Sequence, residues 1–344
     1  ANSSTNTATT LGGLMGSRNI TLTNNAGNPV TLSVGNNNRS TTYSGVLSDN
    51  NAGGALTKVG TGALTLGADV TFTGAVNVNN GYLAFNGLTG LATASGITVN
   101  GGQLQCKTTG TYANVPLTLT GAAPNSQGAL YFNLDGGNFV WPGVITLNGG
   151  ASIGAYSAGS TVNLSSGIAG TGDLTLWAGG GATTHLQTFV LNGAVNDTGN
   201  TMIQATYAAN NITQLGVNNA LPSSTVLTLN SYIFSSVQML AELKLNGYNQ
   251  TLAGLASTGV GVQRVVNGNA TAATLTVNNT AASTYAGILG GPNANENNFN
   301  LVKSGSGTLT LTGVNTYSGG TTISGGTIQA ASLGSGDVTV GNGA

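Results

Sequence analysis

Charged side chains are scarce in this chain. Only 4% of its 344 residues are charged, seven of them basic and eight acidic, and the formal net charge is −1. A balance this neutral offers no basic groove for phosphates and no polybasic segment for anionic lipids. We therefore expect neither nucleic-acid binding nor electrostatic attachment to a membrane.

Cysteine and histidine are nearly absent as well, with Cys106 and His185 the single examples. One cysteine excludes an internal disulfide, and one of each residue excludes a zinc site built from them. Cys106 follows the apolar Leu104, which favours a small core or corner residue over a reactive thiol. The segments 170–173 and 334–337 do not complete the calcium-binding nonapeptide of β-roll proteins. We expect no metal and no cofactor.

Long apolar runs are missing too. No stretch of about 18 apolar residues indicates a membrane span, and residues 1–4 begin no signal peptide, so we expect a mature or excised soluble segment. With 56 glycines and six prolines, no window sustains an apolar stripe of helical period. Even the best helical candidate, residues 235–245, is interpreted as strand and corner.

What the chain does contain is short alternation of apolar and polar residues. Segments such as 63–66, 116–120 and 226–229 alternate with period two, which predicts strands with one buried face. Asn-Gly pairs, for example Asn80-Gly81 and Asn148-Gly149, lie between such segments and accept positive φ at low steric cost. These pairs are predicted corners.

The chain also repeats itself. Residues 56–66 return 245 residues later as 301–311, with seven of eleven positions identical, and a partial third copy lies at 170–176. The central copy contains 15 additional residues, 177–191. We therefore divide one continuous chain, 1–344, into related modules at about 10–100 and 251–344 and a central module, 101–250, with an insertion at 177–191.

Two all-β folds are compatible with these signals. Asn-Gly between strands ordinarily favours hairpins and an antiparallel sandwich. A sandwich of this length would be expected to split into several domains, whereas the repeats run on without a linker. We predict a right-handed parallel β-helix, a β-solenoid forming a single elongated rod with ~20 to 25 residues per coil and roughly 15 coils.

The repeat itself resembles a known family. Residues 301–328, and more loosely 56–83 and the central copy, resemble the autotransporter-associated β-strand repeat of bacterial passenger domains and related surface proteins. The resemblance implies a parallel β-helix, export across the cell envelope, and a place on the bacterial cell surface or in the extracellular matrix. It does not imply a particular ligand.

Several side chains are candidates for surface interactions. Trp141 alternates as in a strand and is predicted to pack in the core, whereas Trp177 and His185, in the insertion, are candidate surface contacts for a glycan or a protein. Unpaired strand edges at the two ends favour end-to-end self-association, and the candidate contact residues are Leu11, Leu14, Val338 and Val340.

Enzymatic function is the least favoured hypothesis. A polysaccharide-active β-helix would need converging carboxylates, and Asp49 and Asp69 lie about one coil apart. Both stand in corner segments where Asp caps its own backbone, so we expect no enzyme. The sequence predicts a structural extracellular β-solenoid, such as a surface stalk, coat or fibre subunit that assembles into filaments. The alternatives are an adhesin-type passenger and, last, a polysaccharide-active enzyme.

Overall fold

The computed structural model describes residues 5–156, 159–181 and 185–341. About 49% of the chain is strand, and the strands wind into a parallel β-solenoid of about 13 turns without a helix in these ranges. The number of turns is close to the roughly 15 coils predicted. Within the same ranges there is no helix of the length and hydropathy that a membrane span requires.

Each turn of the coil has three sides, which we name the first, second and third faces. The first face contains Ala8–Leu11, Thr31–Val34, Ala55–Lys58, Val76–Val78, Ile97–Asn100, Leu117–Gly121, the first half of Ile145–Tyr156, Ile168–Thr171, Val195–Asp197, Gln250–Leu252, Ala273–Asn278, Phe299–Ser304, Thr321–Ile323 and Val338–Val340. The second face contains Thr41–Tyr43, Ala63–Leu66, Tyr82–Phe85, Gln103–Cys106, Leu130–Phe132, the second half of Ile145–Tyr156, Leu174–Gly179, Thr201–Ala205, Val226–Ser231, Gly254–Gly259, Ser283–Tyr285, Thr308–Leu311 and Thr327–Ala330.

The third face contains Ile20–Thr21, Leu47–Ser48, Gly110–Thr111, Asn138–Trp141, Thr161–Leu164, His185–Leu191, Ala209–Leu215, Leu240–Lys244, Val262–Val266 and Ile288–Leu289. Outside the coil, Ile233–Phe234 and Val237–Gln238 pair as an antiparallel hairpin. The other strand pairings of the described residues are parallel, so the antiparallel sandwich, which was the alternative fold, is wrong.

The register of the first face explains the polar exterior. Each outward position lies over the equivalent position of the next turn, from Thr10 to Asn196. The column between them contains hydroxyl and amide side chains with one alanine: Ser33, Thr57, Asn77, Thr98, Thr118, Thr146 and Ala169. Like charges stacked in this way would repel each other, whereas hydroxyl and amide groups do not. The scarcity of charge therefore follows from the stacking.

The inward positions form one continuous apolar core along the coil. Aromatic rings fill its wider part, where Tyr112 contacts Phe85 edge-on at 5.6 Å between centroids and lies 5.9 Å from Trp141. Trp141 and Cys106 are both buried there, which confirms the prediction for each. Burial raises the pKa of the Cys106 thiol, so this cysteine is an inert core residue.

Two lysines lie inside the coil, which the sequence analysis did not predict. Lys58 is fully buried, and its ammonium donates to the carbonyl oxygens of Val59 at 2.6 Å, Gly60 at 2.8 Å and Asn80 at 3.3 Å. Lys303, at the equivalent position of the other terminal module, donates in the same way to the carbonyl oxygens of Ser304, Gly305 and Gly325. Each ammonium thus binds two carbonyls of its own corner and one of the next turn.

The insertion does not project as a loop where it is described. Its ends belong to the strands Leu174–Gly179 and His185–Leu191, which pair with the turns before and after them. Residues 182–184 lie outside the described residues. The additional residues therefore form part of a third-face strand. The equivalent described segment, between Leu311 and Thr321, contains no such strand.

Candidate functional site

A cavity of about 700 Å³ opens on the outer surface of the coil where the second face meets the third. We name it the aromatic cleft. Its aromatic lining consists of Tyr156, Trp177, Tyr207, Tyr232 and Phe234. Its polar lining consists of Asn125, Ser126, Gln127, Gln204 and Thr206, and the remaining positions are Gly180, Gly181 and Ile233. A volume of this size is within the range of small-molecule sites in proteins.

Strand register brings these distant residues together. In the second face, Tyr131 pairs with Gly154, Gly154 with Trp177, Trp177 with Gln204, and Gln204 with Asn230. All five occupy outward positions, because their sequence neighbours point into the core. Two residues of this outward column, Trp177 and Gln204, line the cleft, and they come from turns about 25 residues apart.

Three packed rings lie at the base of the cleft: Tyr156 and Trp177 line it, and Tyr131 packs against both. The rings of Tyr156 and Trp177 are nearly parallel, with 6.5 Å between centroids and an interplanar angle of 7°. Tyr131 lies 6.4 Å from Tyr156 and 6.3 Å from Trp177. Gly179 leaves room for this arrangement, since a Cβ at that position would lie 2.1 Å from the Trp177 ring. Aromatic contacts of this kind fix the orientation of the rings.

The exposed part of the lining is the rim rather than the base. Only 4% of Trp177 is exposed, whereas Tyr207 is 65%, Tyr232 43% and Phe234 36% exposed. Tyr232 and Phe234 belong to the hairpin segment that forms one wall of the cleft, and its turn residues Ser235 and Ser236 have positive φ. The base thus supports the site, and a ligand would contact chiefly the rim.

The polar groups of the cleft are uncharged. Gln103 donates to the Oδ1 of Asn125 at 3.1 Å, and the Nδ2 of Asn125 donates to the Oε1 of Gln127. These bonds leave the Nε2 of Gln127 without a partner among the described residues, and the side-chain amide of Gln204 has none there either. An uncharged cleft with free amide groups suits a ligand that both donates and accepts hydrogen bonds.

The two surface candidates of the insertion both lie at this cleft, with different roles. Trp177 lines its base and is almost fully buried, so its ring is less accessible than a surface contact requires. His185 lies against the lining residue Gly180, where a Cβ would come within 2.2 Å of its Nδ1. This Nδ1 is buried and has no hydrogen-bond partner among the described residues. His185 therefore supports the corner behind the cleft.

Sequence reasoning missed the rest of the cleft, although a signal was present. The aromatic residues that build it recur at intervals of one coil along the chain: Tyr131, Tyr156, Trp177, Tyr207 and Tyr232. Side chains spaced by one turn of a solenoid lie on one side of the rod. An aromatic residue repeated at the coil length therefore predicts a surface stripe, which the structure forms here.

The candidate contacts at the two ends differ in accessibility. Val338 and Val340 are 51% and 59% exposed on the last strand. Leu11 is half-buried against the core, and Leu14 is buried in it. The side chain of Leu14 is therefore not available for an end-to-end contact, because it already packs between the first two turns.

The two aspartates considered for catalysis have local partners. Asp49 is buried and accepts hydrogen bonds from the backbone N–H groups of Asn51, Gly53, Gly54 and Thr73 and from the Thr73 hydroxyl. Burial alone would raise the pKa of Asp49. The hydrogen-bond donors lower it by more, so the net pKa is below the usual value. Asp69 accepts from the Thr89 hydroxyl. Neither residue lines the aromatic cleft.

Two other acids are perturbed by burial and were not singled out in the sequence. Burial and the nearby Asp173 carboxylate raise the pKa of Asp197 to about 6. Burial and the nearby Glu296 carboxylate raise the pKa of Glu242 to about 7. The positive charges of Arg264 and Lys244 partly offset this rise. The described residues contain no group of three His, Cys, Asp or Glu side chains able to hold a metal ion.

Fold and site together define an elongated parallel β-solenoid whose candidate site lies on its outer surface. Comparison with protein families specifies the repeat: a family model described as passenger-associated-transport-repeat matches residues 56–85 and 301–330. The chain thus contains two repeats of the autotransporter passenger family, as the resemblance implied, and each includes one of the buried lysines. This family implies a secreted or surface-exposed protein. No curated protein and no solved structure matches the chain.

Proposed function

We propose that this chain is a structural, non-enzymatic segment of an extracellular surface protein, a stalk, coat or fibre element on the bacterial surface. The observation that carries the proposal is the parallel pairing of successive described turns along the coil, which has one register shift, between Leu119 and Gly121. Load applied along the rod is distributed over many backbone hydrogen bonds and a continuous apolar core. Such an element would hold an attached domain at a fixed distance from the cell surface.

Force spectroscopy on the chain, pulled from its two ends, tests the structural role. We expect the folded length to stay constant under load until groups of turns open in discrete steps. Gradual lengthening at low force, as for a flexible linker, would contradict the proposal. A polysaccharide hydrolysis and lyase panel provides the enzymatic control, in which we expect no turnover by the chain or by an Asp49→Ala, Asp69→Ala double variant.

Head-to-tail association into filaments is the finer structural proposal. It is supported by the exposed strand Val338–Val340, which is paired on one side only among the described residues. Size-exclusion chromatography and electron microscopy over a concentration series test it. We expect concentration-dependent fibres that disappear in a Val338→Lys, Val340→Lys variant and persist in a control, Val314→Lys, whose exposed side chain lies elsewhere. Monodisperse monomers at all concentrations would refute the proposal.

An adhesin-type passenger is the second candidate, and the aromatic cleft is the observation that favours it. Exposed tyrosines beside free amide groups are typical of recognition surfaces. Flow cytometry of the fluorescently labelled chain on intact bacterial and mammalian cells tests this function. We expect binding that a Tyr207→Ala, Tyr232→Ala double variant loses. Equal binding by the double variant and the unaltered chain would remove the cleft from any adhesive role.

A further inference from the structure

We propose that the aromatic cleft binds an uncharged glycan, with a sugar ring packed against the exposed aromatic rim. The proposal rests on the adhesin-type function and specifies its ligand. Three features of the cleft lead to this class of ligand: the aromatic rim, the free amide groups, and the lack of charge in the lining.

The aromatic rim suits the faces of a sugar ring. A pyranose presents C–H groups on its faces, and a flat aromatic side chain covers such a face while removing little water from the hydroxyls at its edge. Tyr207, Tyr232 and Phe234 are all substantially exposed at the rim. Their rings therefore remain available for stacking in the unliganded chain.

The amide groups suit the hydroxyls of a sugar. Each hydroxyl both donates and accepts a hydrogen bond, and so does a primary amide. Among the described residues, neither the side-chain amide of Gln204 nor the Nε2 of Gln127 has a hydrogen-bond partner at the cleft. These two residues come from turns on either side of Trp177, so they can bind hydroxyls at two places along a glycan.

The lack of charge in the lining disfavours ionic ligands. None of the described residues that line the cleft is acidic or basic. Removing a sulfate, phosphate or carboxylate from water without a cationic partner is costly, so an acidic glycan or a phosphorylated ligand would bind poorly. A neutral glycan involves no such cost.

The surroundings of the cleft argue against an extended peptide. The second-face strands beneath it, Leu174–Gly179 and Thr201–Ala205, are paired on both sides within the coil. These two strands therefore offer no free edge to which a peptide could add a strand. The base of Tyr131, Tyr156 and Trp177 is already packed, so binding requires little reorganisation.

A glycan array with titration of its hits tests the proposal. The probes are neutral oligosaccharides (cello-, xylo-, manno- and malto-series), acidic oligosaccharides with sialic or uronic acids, and a peptide array. We expect neutral oligosaccharides to bind and to change the fluorescence of Trp177. We also expect Tyr207→Ala, Tyr232→Ala and Gln204→Ala each to weaken binding by about tenfold or more, equivalent to about 1.4 kcal/mol.

The matched control is Val314→Ala, which truncates an exposed side chain far from the cleft and should leave affinity unchanged. Thermal melting of each variant separates loss of binding from loss of fold. Binding of acidic glycans or peptides alone would overturn the glycan proposal while leaving the adhesin-type function intact. Binding of no probe, together with no cell binding, would overturn both.

Discussion

At the scale of single residues, the polar groups inside the coil have the strictest requirement for hydrogen-bond partners. A buried ammonium is costly unless hydrogen bonds replace its hydration. Lys58 and Lys303 meet this condition with three carbonyl oxygens each. Burial still lowers the pKa of Lys58 to about 8, which leaves it mainly charged at neutral pH. The two lysines therefore act as internal corner caps.

Replacement of a corner lysine should destabilise the fold. Lys58→Met keeps the volume and the apolar stem but leaves three buried carbonyls without a donor. We expect a loss of about 1 to 3 kcal/mol in the free energy of unfolding, measured by urea titration. The control, Lys107→Met, alters a half-buried lysine and should change stability by less than about 0.5 kcal/mol. Equal stability of both variants would show that the caps contribute nothing.

The burial of the Asp197 carboxyl group predicts an unusual dependence of folding stability on pH. Its side chain is buried, and neither carboxylate oxygen has a hydrogen-bond partner among the described residues. Its pKa is about 6 in the folded chain, against 3.8 as the ordinary value. The folded state therefore holds the proton more tightly, and this contribution to stability is present below pH 4 and is lost as pH rises to about 6.

Asp197→Asn removes this dependence. We expect the variant to be more stable than the unaltered chain by about 1 to 2 kcal/mol at pH 8 and equally stable at pH 3, measured by urea unfolding at both values. Asp337→Asn, at an exposed position, is the control and should change stability by less than about 0.5 kcal/mol. An Asp197→Asn variant that is less stable at pH 8 would contradict the assignment.

At the scale of elements, the corners depend on close contact between turns. Gly81 has a φ of 62°, and a Cβ at this position would lie 2.4 Å from the carbonyl oxygen of Gly60. Gly326, its equivalent in the other module, has a φ of 67° and the same distance to the carbonyl oxygen of Gly307. Both the backbone conformation and the spacing of turns therefore require glycine here.

A pair of substitutions separates these two requirements. Gly27 also has a positive φ, of 79°, but nothing lies within 4 Å of its Cβ direction. We expect Gly27→Ala to cost about 1 kcal/mol from backbone strain alone, and Gly81→Ala to cost about 3 kcal/mol or more because the preceding turn must also shift. Chemical denaturation measures both. Equal costs would mean that the turns are not packed as closely as the structure has them.

The elements themselves were predictable, since they depend on local pattern. Alternation identified strands such as Ala63–Leu66, and Asn-Gly pairs such as Asn80-Gly81 identified corners. The inward lysines were not identified, because a lysine in a strand ordinarily points outward and nothing local indicates carbonyls one turn away. Tertiary register, rather than local propensity, places Lys58 beside Asn80.

At the scale of the whole molecule, the candidate site consists of residues that meet only through register. The aromatic cleft combines groups from Asn125 to Phe234. Their convergence depends on the length of each turn, which is set by the corner residues and the third-face strands. A register shift of one residue would move the aromatic side chains to the interior. The repeats therefore predicted the rod, whereas the cleft required the actual pairing of turns.

Distances between nitroxide labels along one outward column test this account most directly. Cysteines replace Asn196 and, in separate variants, Thr118, Asn77 or Ser33, which lie three, five and seven turns away; the buried Cys106 does not compete for label. Double electron–electron resonance should give mean distances that increase linearly by about 4.8 Å per turn, from about 14 to about 34 Å. Distances that level off, or that do not follow the number of turns, would contradict the parallel coil and with it the cleft.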